Sequence, residues 1–134
     1  MNFFLLLKFT IIGIIGVAIN FLITWLLKDI LKFNKYLSNS LGYGIAMFFN
    51  FFGNRTWTYS AVDELLFYQF LKFLIVVFVG VSLNHIIVFY FHSLRKTNFY
   101  VSKIIAVVIV FFWNFTMHTF FTFDYLSLIN SLQS

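Results

Sequence analysis

Four stretches free of Lys, Arg, Asp and Glu, at 9–27, 36–54, 73–91 and 104–123, leave this chain little choice of solvent. Each runs 19 or 20 residues, and about 20 residues of helix cross a hydrocarbon core about 30 Å thick. Lipid offers the backbone no hydrogen-bond partners, so such stretches must close their own bonds as helices. The second is the most polar, opening with Ser38, Asn39, Ser40, Gly42 and Gly44. It is read as a span because it is the only return path between the first and the third. Only 10% of the residues are charged, against roughly 25% in soluble domains. The expected fold is an all-α membrane protein, a single transmembrane domain over 1–134, with loops at about 28–35, 55–72 and 92–103. Loop 55–72 holds Asp63, Glu64 and an aromatic cluster, and has room for a short interfacial helix.

Lys8 followed by an apolar run has the outline of a signal peptide. Yet 9–27 is too long for an h-region and no small-x-small site follows, so the segment is read as a retained span. The chain has no Cys and no Pro. That excludes disulfides and thiolate metal sites, and removes the simplest helix breaker. A net charge of +5 would point to nucleic acid in a soluble chain. Here the cations flank apolar runs and read as topology signals and lipid-headgroup contacts, so no nucleic-acid partner is expected. The acids Asp29, Asp63, Glu64 and Asp124 all lie at or outside run ends. None is spaced with Ser and His as a catalytic set, and no Gly-rich phosphate loop is present. The expectation is a non-enzyme without metal or cofactor.

A shift of 64 residues superimposes the chain on itself. It pairs Lys8 with Lys72, Gly16 with Gly80, Asn20 with Asn84, Asn34 with Asn98, Ser38 with Ser102, Asn50 with Asn114 and Thr58 with Thr122. Matching apolar positions would follow from composition; matching Lys, Gly and Asn at one constant offset does not. The four spans are therefore read as two repeated helical hairpins, inserted in the same sense. That arrangement places Lys8, Arg55 and Lys72 at one membrane face, with His118 at the matching end of the fourth helix.

The stretch from Phe48 to Tyr59 joins an apolar run to two amides, a guanidinium and an aromatic fringe. Arg55 suits bidentate phosphate binding while its stem stays apolar, and Trp57 and Tyr59 suit the interfacial aromatic belt. A snorkelling arginine at a helix end is the plain alternative. Asn20, Asn50, Asn84 and Asn114 fall inside spans, where an unpartnered amide costs several kcal/mol. They either hydrogen-bond helices together or line a polar path for sugar hydroxyls, joined by Asn54 and His118 at the helix ends. His85 has no counterpart of like type and reads as packing. Two histidines on different helices make a poor metal site.

On these residues the chain resembles the GtrA-like family: small four-span proteins with a basic residue and Phe opening the first and third helices. Here these are Lys8-Phe9 and Lys72-Phe73. The family's Asn-Phe-x-x-Asn-Arg-x-Trp-x-Phe motif reads Asn50 to Tyr59, with Tyr in last place. A degenerate copy runs from Asn114 to Phe123, with His118 and Thr119 at the Asn-Arg positions. The resemblance covers essentially the whole chain. It implies flipping of a polyprenyl-phosphate-linked monosaccharide across the cytoplasmic (inner) membrane, for cell-surface polysaccharide or teichoic acid glycosylation. A membrane glycosyltransferase would supply the lipid-sugar. Arg55, Lys8 and Lys72 would hold its phosphate, and a homodimer would enlarge the polar volume. The family is drawn with both termini in the cytoplasm, whereas six cations against three would put loops 28–35 and 92–103 there. The competing reading is a non-transporting subunit that docks or stabilises the glycosyltransferase. A small exporter is disfavoured, because no acid lies inside a span.

Overall fold

A computed structural model describes residues 2–134. Among these the chain is all-helical, without a strand. It divides into two compact units, 1–62 and 63–134. Three helices are long and apolar enough to cross a membrane, over Phe3–Ile30, Leu66–Leu94 and Phe99–Thr122. The helix over Lys35–Gly53 is a fourth, less apolar one; its first half carries the serines, the asparagine and the glycines noted above.

In the first unit, α1 (Phe3–Trp25) and α2 (Lys35–Gly53) form an antiparallel hairpin. The buried residues of α1 are Leu5, Phe9, Ile12 and Gly16, spaced four, three and four. That spacing keeps one narrow seam against a partner helix. It packs on Ser38, Gly42, Ala46 and Phe51 of α2. Small residues let the backbones approach closely, the packing mode available where lipid supplies no hydrophobic drive. A Cβ at Gly16 would collide with the Asn50 amide.

Asn34 starts α2: its side-chain oxygen accepts from the Tyr36 and Leu37 N–H groups at 2.8 and 3.4 Å. These are donors a helix start otherwise leaves unsatisfied. Ser38 Oγ then donates to the Asn34 carbonyl at 2.9 Å, which satisfies a fully buried hydroxyl.

The second unit holds α3 (Leu66–Val88), α4 (Phe99–Met117) and α5 (Tyr125–Gln133). The buried seam of α3 is Gln69, Phe73, Val76 and Gly80, again spaced four, three and four. It meets Ser102, Ala106 and Phe115 of α4. Asn98 caps α4 through Tyr100 and Val101 at 2.9 and 3.4 Å, and Ser102 Oγ donates to its carbonyl at 3.0 Å. Trp113 Nε1 donates to the Val76 carbonyl across the hairpin at 3.3 Å.

Each of the four long helices closes with a widened turn, over Leu26–Ile30, Asn54–Thr58, Phe89–Leu94 and His118–Thr122. The N–H groups of Leu31, Tyr59, Arg95 and Phe123 reach five residues back, at 2.9–3.0 Å. The next residue, Lys32, Ser60, Lys96 or Asp124, is left-handed with φ between 43° and 59°. With no proline in the chain, this reversal ends the helix.

Helix ends therefore depart from the expected loop boundaries. Arg55 and Lys72 ride on helices, and the connection expected over 55–72 shrinks to 59–65. Charge marks where a helix meets water; the hydrogen-bond ladder continues past it. No separate interfacial helix forms in that connection. The one short extra helix is α5, which was not expected.

Candidate cation and amide site

In the first unit, Lys8 and Arg55 converge on one segment of chain. Lys8 Nζ donates to the Trp57 carbonyl at 3.3 Å and lies 5.4 Å from the centre of the Trp57 ring. Arg55 Nη2 donates to the Val62 carbonyl at 2.9 Å. The widened turn over Asn54–Thr58 brings this about. By adding a residue to the last turn it aims the Trp57 carbonyl towards the start of α1. Both acceptors are neutral backbone carbonyls. Trp57 itself is half-exposed, whereas Tyr59 turns inward and is buried.

Behind the cations lie the amides of the sequence motif. Asn54 is buried and accepts from Thr58 Oγ1 at 2.8 Å. Asn50 Nδ2 donates to the Ala46 carbonyl at 3.0 Å. Deeper still, Asn20 Oδ1 accepts from Thr24 Oγ1 at 3.3 Å, and the same hydroxyl reaches the Ser38 carbonyl at 3.4 Å. Each of these three amides thus has a partner inside its own hairpin.

The second unit is built differently at the matching end. Lys72 Nζ donates to Glu64 Oε1 at 2.9 Å and lies 5.8 Å from the centre of the Phe121 ring. The other carboxylate oxygen accepts from Gln69 Nε2 at 3.1 Å. His118 is buried, stacked on Phe73 with ring centres 4.7 Å apart, and its Nδ1 lies 2.9 Å from Thr122 Oγ1. Thr119 Oγ1 donates to the Phe115 carbonyl at 2.6 Å. Asn84 is half-buried. The buried Oδ1 of Asn114 has no hydrogen-bond partner, and it sits 2.9 Å from where a Cβ on Gly80 would lie. His85 is exposed and bonds the Val81 carbonyl at 2.8 Å. No group of three His, Asp or Glu capable of holding a metal occurs among the described residues.

Sequence reasoning passed over Glu64 and Gln69. The first was read as a loop acid. The second was hidden because Gln69 pairs with Leu5 at the 64-residue offset, a mismatch that marks it out only once its burial is known.

The family model for the GtrA/DPMS transmembrane domain matches residues 8–123. The chain belongs to the GtrA/DPMS transmembrane-domain family. The match opens at Lys8 and closes at Phe123, so it takes in both hairpins and leaves α5 outside. GtrA/DPMS membership makes this a multi-pass membrane protein of glycosylation and lipid-linked sugar pathways. The family is generally non-catalytic. No curated protein matches the chain.

Proposed function

We propose that this chain flips a polyprenyl-phosphate-linked monosaccharide across the cytoplasmic membrane for cell-surface glycosylation. The observation that carries the reading is the convergence of Lys8 and Arg55 on the carbonyls of Trp57 and Val62. An ammonium and a guanidinium gathered at one hairpin end suit a lipid phosphate, since both bind phosphate through charge-assisted bonds. The long apolar helix faces suit the prenyl chain. In the second unit Asn114 Oδ1 offers a buried acceptor that a sugar hydroxyl would satisfy, with Asn84 and His118 as further polar groups; in the first unit Asn20, Asn50 and Asn54 are the proposed sugar contacts. In the second unit, Lys72 is the cation proposed to meet lipid phosphate. A membrane glycosyltransferase supplies the lipid-sugar, and a second copy of the chain would widen the path.

The same proposal treats the two hairpins as copies of one unit. Support comes from Asn34 and Asn98 capping α2 and α4 with near-identical bonds, and from the left-handed Lys32 and Lys96, 64 residues apart.

Proteoliposomes containing only this protein test the transport. Polyprenyl-phosphate hexose in one leaflet is followed with an impermeant sugar-modifying reagent. The expected result is fast exposure by the wild type, reduced by Arg55→Ala. No exposure by folded wild-type protein would overturn the proposal and leave the glycosyltransferase-docking reading.

A further inference from the structure

Glu64 stands where an anionic headgroup would be expected. Its Oε1 lies 2.9 Å from Lys72 Nζ, and its Oε2 is held by Gln69 at 3.1 Å. Gln69 is fully buried, so the amide that orients the carboxylate is itself fixed by packing. The pair is accessible: the side chains of Lys72 and Glu64 are 30% and 40% exposed. The first unit offers a contrast. There Lys8 rests on a backbone carbonyl, and the place of Gln69 is taken by the buried, apolar Leu5.

We propose that Glu64 is a resident counter-anion, held on Lys72 by Gln69, which an incoming lipid phosphate must displace before Lys72 can take part in binding. This deepens the phosphate-site reading above and rests on it. A carboxylate and a phosphate oxygen compete for the same ammonium hydrogens. An exposed ion pair is weak, so the carboxylate gives way to a lipid phosphate. While it stays, it neutralises Lys72 and repels other anions. Glu64 therefore sets how strongly the site takes an anionic headgroup, and Gln69 is the positioning residue behind it.

The test titrates farnesyl phosphate into detergent-solubilised full chain by calorimetry, with farnesol as the uncharged control and inorganic phosphate as competitor. Glu64→Gln is expected to bind farnesyl phosphate about twofold to fivefold tighter than wild type, the range set by an exposed pair. Gln69→Leu removes the amide that orients the carboxylate and is expected to move affinity the same way. A purely structural role for Glu64 would move it the other way, through lost folding. In a Lys72→Ala background the gain from Glu64→Gln should shrink. Unchanged or weaker binding in both variants, with wild type binding and Arg55→Ala not, would overturn the counter-anion role and leave the phosphate site standing. No binding by wild type or by Glu64→Gln would overturn both. Equal competition by inorganic phosphate would show that the headgroup alone is read; none would show that the lipid tail is needed as well.

Discussion

At Gly42 the backbone of α2 runs close to that of α1, and a single methyl group there tests the packing argument. A Cβ on Gly42 would lie 2.8 Å from the Asn20 carbonyl oxygen and 2.9 Å from Asn20 Oδ1, and would collide with Thr24 Oγ1. A side chain can swing aside, but the carbonyl belongs to the backbone of α1, so the helices must separate. Overpacking of this kind costs about 1–3 kcal/mol. Alanine in place of glycine returns up to about 1 kcal/mol in helix propensity. The net expectation for Gly42→Ala is about 0–3 kcal/mol of destabilisation. Gly44, two residues on, has nothing within 4 Å of its Cβ position, so Gly44→Ala keeps only the propensity gain. The two variants should differ by about 1–3 kcal/mol, with Gly42→Ala the weaker. Reversible unfolding in mixed micelles, with the detergent composition varied, gives the midpoints. A Gly42→Ala midpoint equal to or above that of Gly44→Ala would refute the close approach of α1 and α2.

Phe51 is fully buried in the first hairpin, and Phe51→Ala should cost about 3–5 kcal/mol in the same unfolding assay. Asn34→Ala removes the acceptor from the start of α2 and should cost about 1 kcal/mol, read against Asn39→Ala as an exposed control. Arg55→Ala should lower lipid-phosphate flipping by about 10- to 150-fold, the value of one charge-assisted bond. Arg55→Lys should fall between, because it keeps the charge and loses the fork. Flipping by folded Arg55→Ala at the wild-type rate would remove Arg55 from the site.

Three spans and a fourth, less apolar helix were legible because lipid imposes a blunt rule: no water, hence a closed helix of set length. Helix ends were not, because Arg55 and Lys72 announce where water begins, while the ladder closes at Tyr59 and begins at Leu66. The asparagines at 34 and 98 were visible as a repeating pair, and their capping role depended on the geometry of the residues after them. At the candidate site, Lys8 and Arg55 could be picked out by charge. Their acceptors could not, since the carbonyls of Trp57 and Val62 belong to the backbone and carry no side-chain signature. Gln69 was obscured by its polarity, which suggests a surface, although an amide tied to a carboxylate can be fully enclosed. The last helix escaped notice because nine uncharged residues are too few to span.

The widened, left-handed helix ends fix something besides chain direction. Their carbonyls are already satisfied by N–H groups five and six residues further on, such as Leu26 by Leu31 and Leu27 by Phe33. Fraying such an end breaks bonds that water must replace at the membrane surface. Helix length is therefore set by the chain rather than by the lipid around it. A bilayer thinner than these helices leaves them to tilt, and a thicker one draws lipid inward around them, each at a modest cost per ångström of mismatch. Tilt carries a hairpin end closer to the mid-plane, so membrane thickness becomes a variable acting on the depth of the proposed phosphate site.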